Sequence, residues 1–542
     1  MKLVECVPNV SEGRRPEVYE AIAQAAAAVP GVRLLNVDPG QETNRTVITF
    51  VGEPEAVLEG AFQLIKKAGE LIDMRSHTGA HPRMGAADVV PLVPVTGISM
   101  DECAELADRL GRRVGDELEL PVYLYEYAAK SPQRRSLADI RQGEYEGLER
   151  KLSDPEWAPD HGPAKFVPEF GAVVIGVRKF LVAYNVDLNV TDKRWANRVA
   201  FDVRESGRMV QDKNGKKVPQ AGLLKAVRGV GWYIPEYGCA QVSMNLVDLD
   251  VTPVHLAFDT CEQQARARGM RVTGSELVGL IPRDAILDAG RHYLRRAGRS
   301  IGVPESDVVH AAVQTLGLND VSAFDPAQRV IEYILAPERP LASMTLQGFA
   351  DETSRDSAAP GGGSVSALVG ALGASLAAMV ANLAHPKGAF AKHREELEAI
   401  AVEGQDLKQG LLDAIDEDTW AFERLMVANR RSGADRAAAV KEATLDAARV
   451  PLGVTEACPR VAELCRRVAE IGMAASLSEA GVGAVMARAA AVGAAMNVRI
   501  NLQDMSEDPD AADLLDRAER ALEKTSEIAS SVEREVWKRL RR

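Results

Sequence analysis

A chain of 542 residues is too long for one hydrophobic core and implies three or four folding units. Its 46% hydrophobic and 26% charged residues are those of an ordinary soluble protein, and a net charge of −13 argues against nucleic-acid binding, which needs a basic face. The six cysteines (Cys6, Cys103, Cys239, Cys261, Cys458 and Cys465) form no Cys-x-x-Cys pair and no zinc-module spacing, so free thiols in a reducing cytoplasm are expected.

The opening Lys2-Leu-Val-Glu-Cys-Val-Pro8 lacks the apolar region of a secretory signal and reads as a first strand. A helix is expected from Arg14 through Val29, strands at 32–37 and 46–51, a helix at 54–72, a strand at 89–95, a helix from Met100 to Leu118 and a strand from Pro121 to Tyr125. Strands alternating with helices of this length predict a sheet with helices packed on it. No Gly-x-Gly-x-x-Gly opens any of these helices, so a dinucleotide fold has no support.

The connection after the 54–72 helix reads His77-Thr-Gly-Ala-His81-Pro-Arg-Met-Gly85. Gly79 and Gly85 permit unusual backbone angles and Pro82 restricts φ, a way to hold an imidazole still, and imidazole is the side chain best poised to move protons near neutral pH. His77 and His81 stand four apart like helical zinc ligands, but Gly79 and Pro82 oppose a helix and no Glu follows His77, so no metal is expected. His77 reads as a hydrogen-bonding loop residue. His81 is open between that role and acid–base chemistry. Asn9, Ser11 and Asp38 stand just past strand ends, where sites gather in open sheets; Asp38, before Pro39-Gly40, reads either as a carboxylate partner for His81 or as a turn residue.

From Trp157 to Gly171 the chain is irregular, with three prolines and two glycines among aromatic residues. It fits a segment that lines a groove and equally an interdomain linker. A second α/β unit is expected next, with strands at 172–177, 180–186, 230–234 and 240–246 and helices at 193–206, 253–268 and 283–296. It repeats the first only as a similar succession of elements. Near 337–343 the character changes, and long helical patterns run onward as an all-helical bundle. Ser364 to Ala384 carries no charge, but its Ala, Gly and Ser content suits a central bundle helix better than a membrane span. The turn before it, Ala359-Pro-Gly-Gly-Gly-Ser364, suits an anion or close packing. Asp416-Glu-Asp418 is either a solvated face or, beside Trp420 and Phe422, a partly buried carboxylate group with a raised pKa.

Ordered segments along the chain, among them Leu3-Val-Glu-Cys-Val-Pro-Asn9, Asn44-Arg-Thr-Val47, His81-Pro-Arg-Met-Gly-Ala86, Trp157-Ala-Pro-Asp160, Val230-Gly-Trp-Tyr233, Leu277-Val-Gly-Leu280, Ala359-Pro-Gly-Gly-Gly-Ser-Val365 and Asn497-Val498, together resemble the bifunctional formimidoyltransferase-cyclodeaminase family over essentially the whole length. The fold this implies is α+β, two ferredoxin-like α/β sandwich subdomains at 1–171 and 172–336, then a linker at 337–343 and an all-α helical bundle at 344–542. The resemblance implies transfer of the formimino group from N-formimino-L-glutamate to tetrahydrofolate as co-substrate, then ring closure to 5,10-methenyltetrahydrofolate with loss of ammonia. It implies no metal, nucleic-acid or membrane partner, and a homo-oligomer.

By the same resemblance His81 is the transferase acid–base group, with Asp38 its partner and Asn9 and Ser11 nearby. Gly162, Pro163, Ala164, Lys165, Phe166, Val167, Pro168, Glu169, Phe170 and Gly171 would contribute to the folate site. Asp418 would be the deaminase carboxylate, with Asp416 and the turn Gly361, Gly362, Gly363 and Ser364 beside it. Met473 and Glu479 depart from the family's Asn and Asp, removing an amide and lengthening a carboxylate in the expected deaminase pocket. The alternatives are a monofunctional formimino- or formyltransferase with a helical oligomerisation domain, and a folate-binding assembly protein without turnover.

Overall fold

The computed structural model describes residues 2–41, 43–79, 82–357, 359–433, 435–505 and 507–541. The first sheet is built from β1 (Leu3–Cys6), β2 (Asn9–Val10), β3 (Val32–Gly40), β4 (Arg45–Gly52), β5 (Ala87–Thr96), β6 (Val122–Glu126) and β7 (Val173–Val177). β1 and β2 both lie between β4 and β5, giving the order β3, β4, β1 with β2, β5, β7, β6. The first four positions pair antiparallel, whereas β5, β7 and β6 run parallel.

Strand alternation decides what each face carries. Val4, Cys6, Val10, Ile48, Phe50, Val90, Leu92, Val122, Leu124, Val173 and Ile175 point to one face, where α1 (Pro16–Ala27), α2 (Pro54–Leu71) and α3 (Met100–Glu117) bury Ile22, Phe62, Ile65, Leu106 and Leu110 against them. α2 opens with proline at its first turn, where the missing N–H has no intrahelical acceptor to lose. α3 opens with a reciprocal Ser99–Glu102 capping box. On the opposite face Val89, Val174, Tyr123 and Tyr125 pack beneath Ile140 of α4 (Leu137–Ile140) and Leu148 and Leu152 of α5 (Leu148–Leu152).

The strand expected to open the second unit, β7, belongs to the first sheet, between β5 and β6. The irregular stretch before it is therefore an internal crossing segment of the first sheet's fold, which decides against the linker reading.

The second sheet uses β8 (Val182–Leu188), β11 (Val227–Ile234), β12 (Cys239–Leu246) and β13 (Val272–Val278) in the order β11, β12, β8, β13. The hairpin β9 (Arg208–Gln211) and β10 (Lys217–Gln220) stands apart, and α6 (Lys193–Val203) and α7 (Val254–Arg266) complete the succession. Both sheets share a strand–helix–strand–strand–helix–strand core with the first strand placed between the third and fourth, which is the ferredoxin-like arrangement. β13 escaped sequence reading because Thr273-Gly-Ser-Glu276 interrupts its apolar alternation.

The chain divides into two compact units, Met1–Tyr184 with Arg194–Trp232 and Val242–Thr252, and Asn185–Lys193 with Tyr233–Gln241 and Pro253–Arg542. The second unit contains α8 (Arg283–Arg296), α9 (Glu305–Leu316), the short α10 (Pro326–Arg329) and α11 (Ile331–Leu335), and then α12 (Leu346–Thr353), α13 (Gly362–Ala384), α14 (Arg394–Asn429), α15 (Arg436–Ile471), α16 (Leu477–Leu502) and α17 (Pro509–Leu540). The change of composition near 337–343 is thus not a break in packing. Gly302 seats so closely on α14 that an added Cβ would lie 2.4 Å from that of Ala401, and its carbonyl accepts from Asn382 and Gln405.

α13 occupies the bundle centre because its small residues admit close neighbours. Gly370 faces Leu411 and Ala490, Gly373 faces the Gly483 carbonyl, and Gly404 faces Ala378. Among the described residues two helices, Gly362–Ala384 and Ala474–Met505, are long and apolar enough to cross a membrane, yet more than half of the first is buried against its bundle neighbours.

Candidate functional site

The loop expected to carry the transferase proton shuttle is held at both ends, although His81 itself lies outside the described residues. Upstream, Asn44 adopts a left-handed conformation (φ 48°), its side chain bonding the Gly13 N–H at 3.0 Å and the Thr78 carbonyl at 2.9 Å. His77 donates through Nε2 to the Asn44 carbonyl at 3.0 Å and accepts from Arg83 at Nδ1 at 3.3 Å. Burial pushes its pKa below the ordinary value, so a neutral ring with both nitrogens engaged serves the loop structurally.

Downstream, Arg83 is fixed by Glu146 at 2.6 Å and Glu144 at 3.2 Å. Ser11 clamps the loop: its hydroxyl donates to the Gly85 carbonyl at 2.7 Å and its N–H to the Ala86 carbonyl at 2.8 Å.

The segment 162–171 is knitted to this loop. The Ala86 N–H donates to the Phe170 carbonyl at 2.8 Å, and the Ala172 N–H to Met84 at 3.0 Å. Gly171 (φ 85°) lies so close that a Cβ there would sit 2.2 Å from the Met84 carbonyl oxygen, and Gly162 (φ 76°) stands equally tight against Leu120. Between them Phe166 packs on Tyr145 at 5.5 Å, Tyr145 donates to the Pro168 carbonyl at 2.5 Å, and Glu169 pairs with Arg75 at 2.8 Å. Val167 and Phe170 join the helix-side core, leaving Ala164 and Lys165 exposed. A ligand touching this strap therefore lies beside the proposed catalytic loop.

Asp38 and Asn9 share one cross-strand row. Asp38 pairs with Val47, Val47 with Asn9, Asn9 with Val89, Val89 with Val174, and Val174 with Tyr123. Directly paired residues point to the same face, so the two polar groups look out from one side of the sheet about 10 Å apart. Asp38 is exposed within a regular strand, so it is not the turn residue that its Pro-Gly sequel suggested. Sequence reading missed Asp88, Arg83 and Arg141, which organise this region; the available signal was a lone carboxylate at the head of an apolar strand.

In the helical part, Asp418 meets the glycine turn. Its Oδ2 accepts from the Ser364 N–H at 3.0 Å and the Ser364 hydroxyl at 3.1 Å. Gly363 stands against it so tightly that a Cβ would lie 2.2 Å from Oδ1. Burial raises the Asp418 pKa, and the Ser364 hydrogen bonds oppose that shift. Gly362 faces Asn497, a residue from α16 that the candidate set omitted. Gly361 begins the turn with no neighbour among the described residues crowding its Cβ position.

Asp416 is not brought to this place. It is buried, and its two oxygens accept from the Leu341 and Ala342 N–H groups at 2.9 and 3.0 Å. Residues two apart on a helix point about 200° apart, so Asp416 anchors the linker while Asp418 faces the turn. Met473 and Glu479 are also elsewhere: 18 residues of α16 separate Glu479 from Asn497, about 27 Å along the axis. Within one chain, neither departure from the family pattern touches the Asp418 turn.

The molecule thus combines a tandem ferredoxin-like half that has a glycine-hinged strap beside a histidine loop with a helical half that has a carboxylate on a glycine turn, the outline of a two-site group-transfer enzyme. Residues 3–178 match the N-terminal subdomain of the formiminotransferase domain, 183–336 the formiminotransferase domain, and 345–520 formiminotransferase-cyclodeaminase. The formimidoyltransferase-cyclodeaminase of Rattus norvegicus is 43% identical over 94% of both chains, and that of Dictyostelium discoideum 41% identical over 98% of this chain and 99% of its own. The glutamate formimidoyltransferase of Thermoplasma acidophilum is 40% identical over 55% of this chain and 94% of its own. The chain belongs to the formimidoyltransferase-cyclodeaminase family and is an enzyme.

Proposed function

We infer that this chain transfers the formimino group from N-formimino-L-glutamate to N5 of tetrahydrofolate, and then closes the product to 5,10-methenyltetrahydrofolate with release of ammonia. The observation that carries the reading is that each half gathers polar groups with the needed chemistry, the strap-bound loop in one and the Asp418 turn in the other.

In the first reaction N5 attacks the formimino carbon and loses its proton, while the glutamate nitrogen gains one and leaves. One imidazole, His81, serves both transfers, with Asp38 as its partner. Asn9 and the strap 162–171 hold the folate, the strap through backbone groups and the face of Phe166. In the second reaction N10 attacks the same carbon and loses a proton, and the departing amine takes one to leave as ammonia. A carboxyl whose pKa burial has raised is suited to accept the first proton and return it to the amine, the role we give Asp418. Gly361, Gly362, Gly363 and Ser364 present the helix start to the ligand.

The enzyme works in the cytoplasm as a homo-oligomer, a reading supported by free cysteines and by exposed apolar residues such as Leu372, Phe422, Met496 and Ile500 on the bundle helices. A coupled assay that records ammonia and methenyl absorbance separately tests the whole proposal. His81→Ala should stop transfer yet deaminate supplied 5-formiminotetrahydrofolate, and Asp418→Asn should do the reverse. Ammonia release by Asp418→Asn at the wild-type rate would overturn the second assignment, and a wild-type enzyme that transfers without releasing ammonia would be monofunctional.

A further inference from the structure

The second sheet carries a buried polar cluster to which the two reactions above assign no role. Asn185 and Asp187 stand two apart on the interior strand β8 and so share one face, while Val186 and Leu188 point the other way and are fully buried. β12 brings Cys239 and Gln241 alongside β8 from one side, and β13 brings Glu276 from the other. Tyr237 stands just before β12, and all six polar residues lie in the second compact unit.

Two carboxylates meet here across one amide. Gln241 Nε2 donates to Asp187 Oδ1 at 3.0 Å and to Glu276 Oε2 at 3.4 Å. Glu276 also accepts from Asn185 Nδ2 at 3.1 Å and from the Tyr237 hydroxyl at 2.9 Å, and the Cys239 thiol lies 3.6 Å from Asp187 Oδ1. Asp187 is 0% exposed, and its other oxygen, Oδ2, is buried with no hydrogen-bond partner among the described residues. A buried acceptor that lacks a donor is costly and rare in a native fold.

The surrounding charges indicate what would complete it. Burial raises the Asp187 pKa, the hydrogen bonds from Gln241 and Cys239 oppose that shift, and the charge of Glu276 raises it further. Among the described residues, none of these groups is a cation, and the donors to Glu276 are likewise neutral. A cation shared by the two carboxylates relieves their repulsion and supplies Oδ2 with a donor. Glu276 is only half-buried, so an entering group meets its carboxylate first, with Asp187 behind it. A planar N–C–N cation presents several N–H donors in fixed directions and can engage both carboxylates at once, the property that makes guanidinium a better carboxylate partner than ammonium.

We propose that Asp187 and Glu276, bridged by Gln241, form a binding site for a planar amidinium cation. The formimino group is itself an amidine, so the donor of the transferase reaction is one source of such a cation, an assignment that rests on the reading above. A separate amidinium or guanidinium compound is the other source, and the cation site itself does not depend on that reading.

The test uses the full-length enzyme with its Asp187→Asn and Glu276→Gln variants. Both keep the shape of the side chain and remove its charge, and Glu276→Gln alters a half-buried position, so a folded variant remains if the buried one misfolds. Acetamidinium and acetamide, alike in shape but not in charge, are titrated at constant ionic strength and followed by saturation-transfer NMR. Acetamidinium should bind the wild type at about the millimolar level that suits so small a ligand, acetamide at least 10-fold more weakly, and each folded variant should lose about 10-fold or more in acetamidinium affinity.

Acetamidinium that competes with N-formimino-L-glutamate, with a higher KM for that donor and an unmoved KM for tetrahydrofolate in the variants, identifies the occupant as the formimino group. Variant-sensitive binding without such competition identifies a separate cation. Acetamidinium that binds the wild type no better than acetamide, or binds the folded variants as well as the wild type, overturns the proposal. A wild type that transfers nothing yet binds acetamidinium in an Asp187-dependent way would instead refute the functional reading and leave the cation site standing.

Discussion

Gly363→Ala probes the deaminase turn at its tightest point. A Cβ there would lie 2.2 Å from Asp418 Oδ1 and 2.5 Å from both Cγ and Oδ2, where ordinary contact begins at 3.4 Å. The carboxylate must retreat by about 1 Å, a displacement of the size that costs on the order of 100-fold in rate when it affects a reacting group. Retreat also stretches the 3.0 Å bond from the Ser364 N–H, a charge-assisted contact of about 1.5–3 kcal/mol, while alanine recovers about 1 kcal/mol of helix propensity. The net loss is at most about 2 kcal/mol, and less if the bond only lengthens, because Asp418 is the end of a flexible side chain.

The expected variant is thus folded, with an unfolding midpoint close to wild type, full transferase activity, and ammonia release from 5-formiminotetrahydrofolate reduced about 100-fold. Ammonia release within about 3-fold of wild type, in a protein that Asp418→Asn inactivates, would refute the claim that the position of this carboxylate governs the reaction.

Gly162→Ala forces a side chain onto a positive φ of 76° with its Cβ 2.0 Å from the Leu120 carbonyl oxygen, so the strap must shift; transfer kinetics should show a higher KM for tetrahydrofolate with ammonia release from supplied intermediate unchanged. Asp416→Ala leaves the Leu341 and Ala342 N–H groups without their buried acceptor and should destabilise the second unit by about 2–5 kcal/mol in urea, whereas altered folate affinity at unchanged stability would make Asp416 a binding residue. Glu5 is buried and desolvation raises its pKa to about 7 from 4.5, with Arg178 opposing. Because the folded value is the higher one, the stability linked to Glu5 is present below the unfolded pKa and is lost as pH rises through 7; Glu5→Gln should stabilise the protein by about 3 kcal/mol at pH 9 relative to its effect at pH 4, measured by denaturant titration at both.

Much of the architecture was legible because it depends on local patterns. Short apolar, strand-like runs marked β4 and β5, period-3.6 amphipathicity marked α2 and α3, and the loss of strand signals marked the helical half. Motif order along the chain was enough to name the family. Reading failed where the outcome depends on residues distant in sequence. β7 joins the first sheet because Val89 and Val174 pair across 85 positions, which no local window contains. β13 and the β9–β10 hairpin are strands because neighbours complete their hydrogen bonds, despite weak apolar alternation.

The sites divide in the same way. Residue types and spacing alone determined that a glycine- and proline-flanked imidazole, a strap rich in prolines, and a carboxylate near a triple glycine are present, since composition carries that chemistry. Tertiary structure decided which groups work together: that Ser11 clamps a loop, that Asp416 anchors the linker while Asp418 meets Ser364, and that a bulge turns Asp88 toward Arg141. The reason is geometric, because a one-residue register shift in a strand or two residues in a helix reverses the direction of a side chain, and only the packed partners fix that direction.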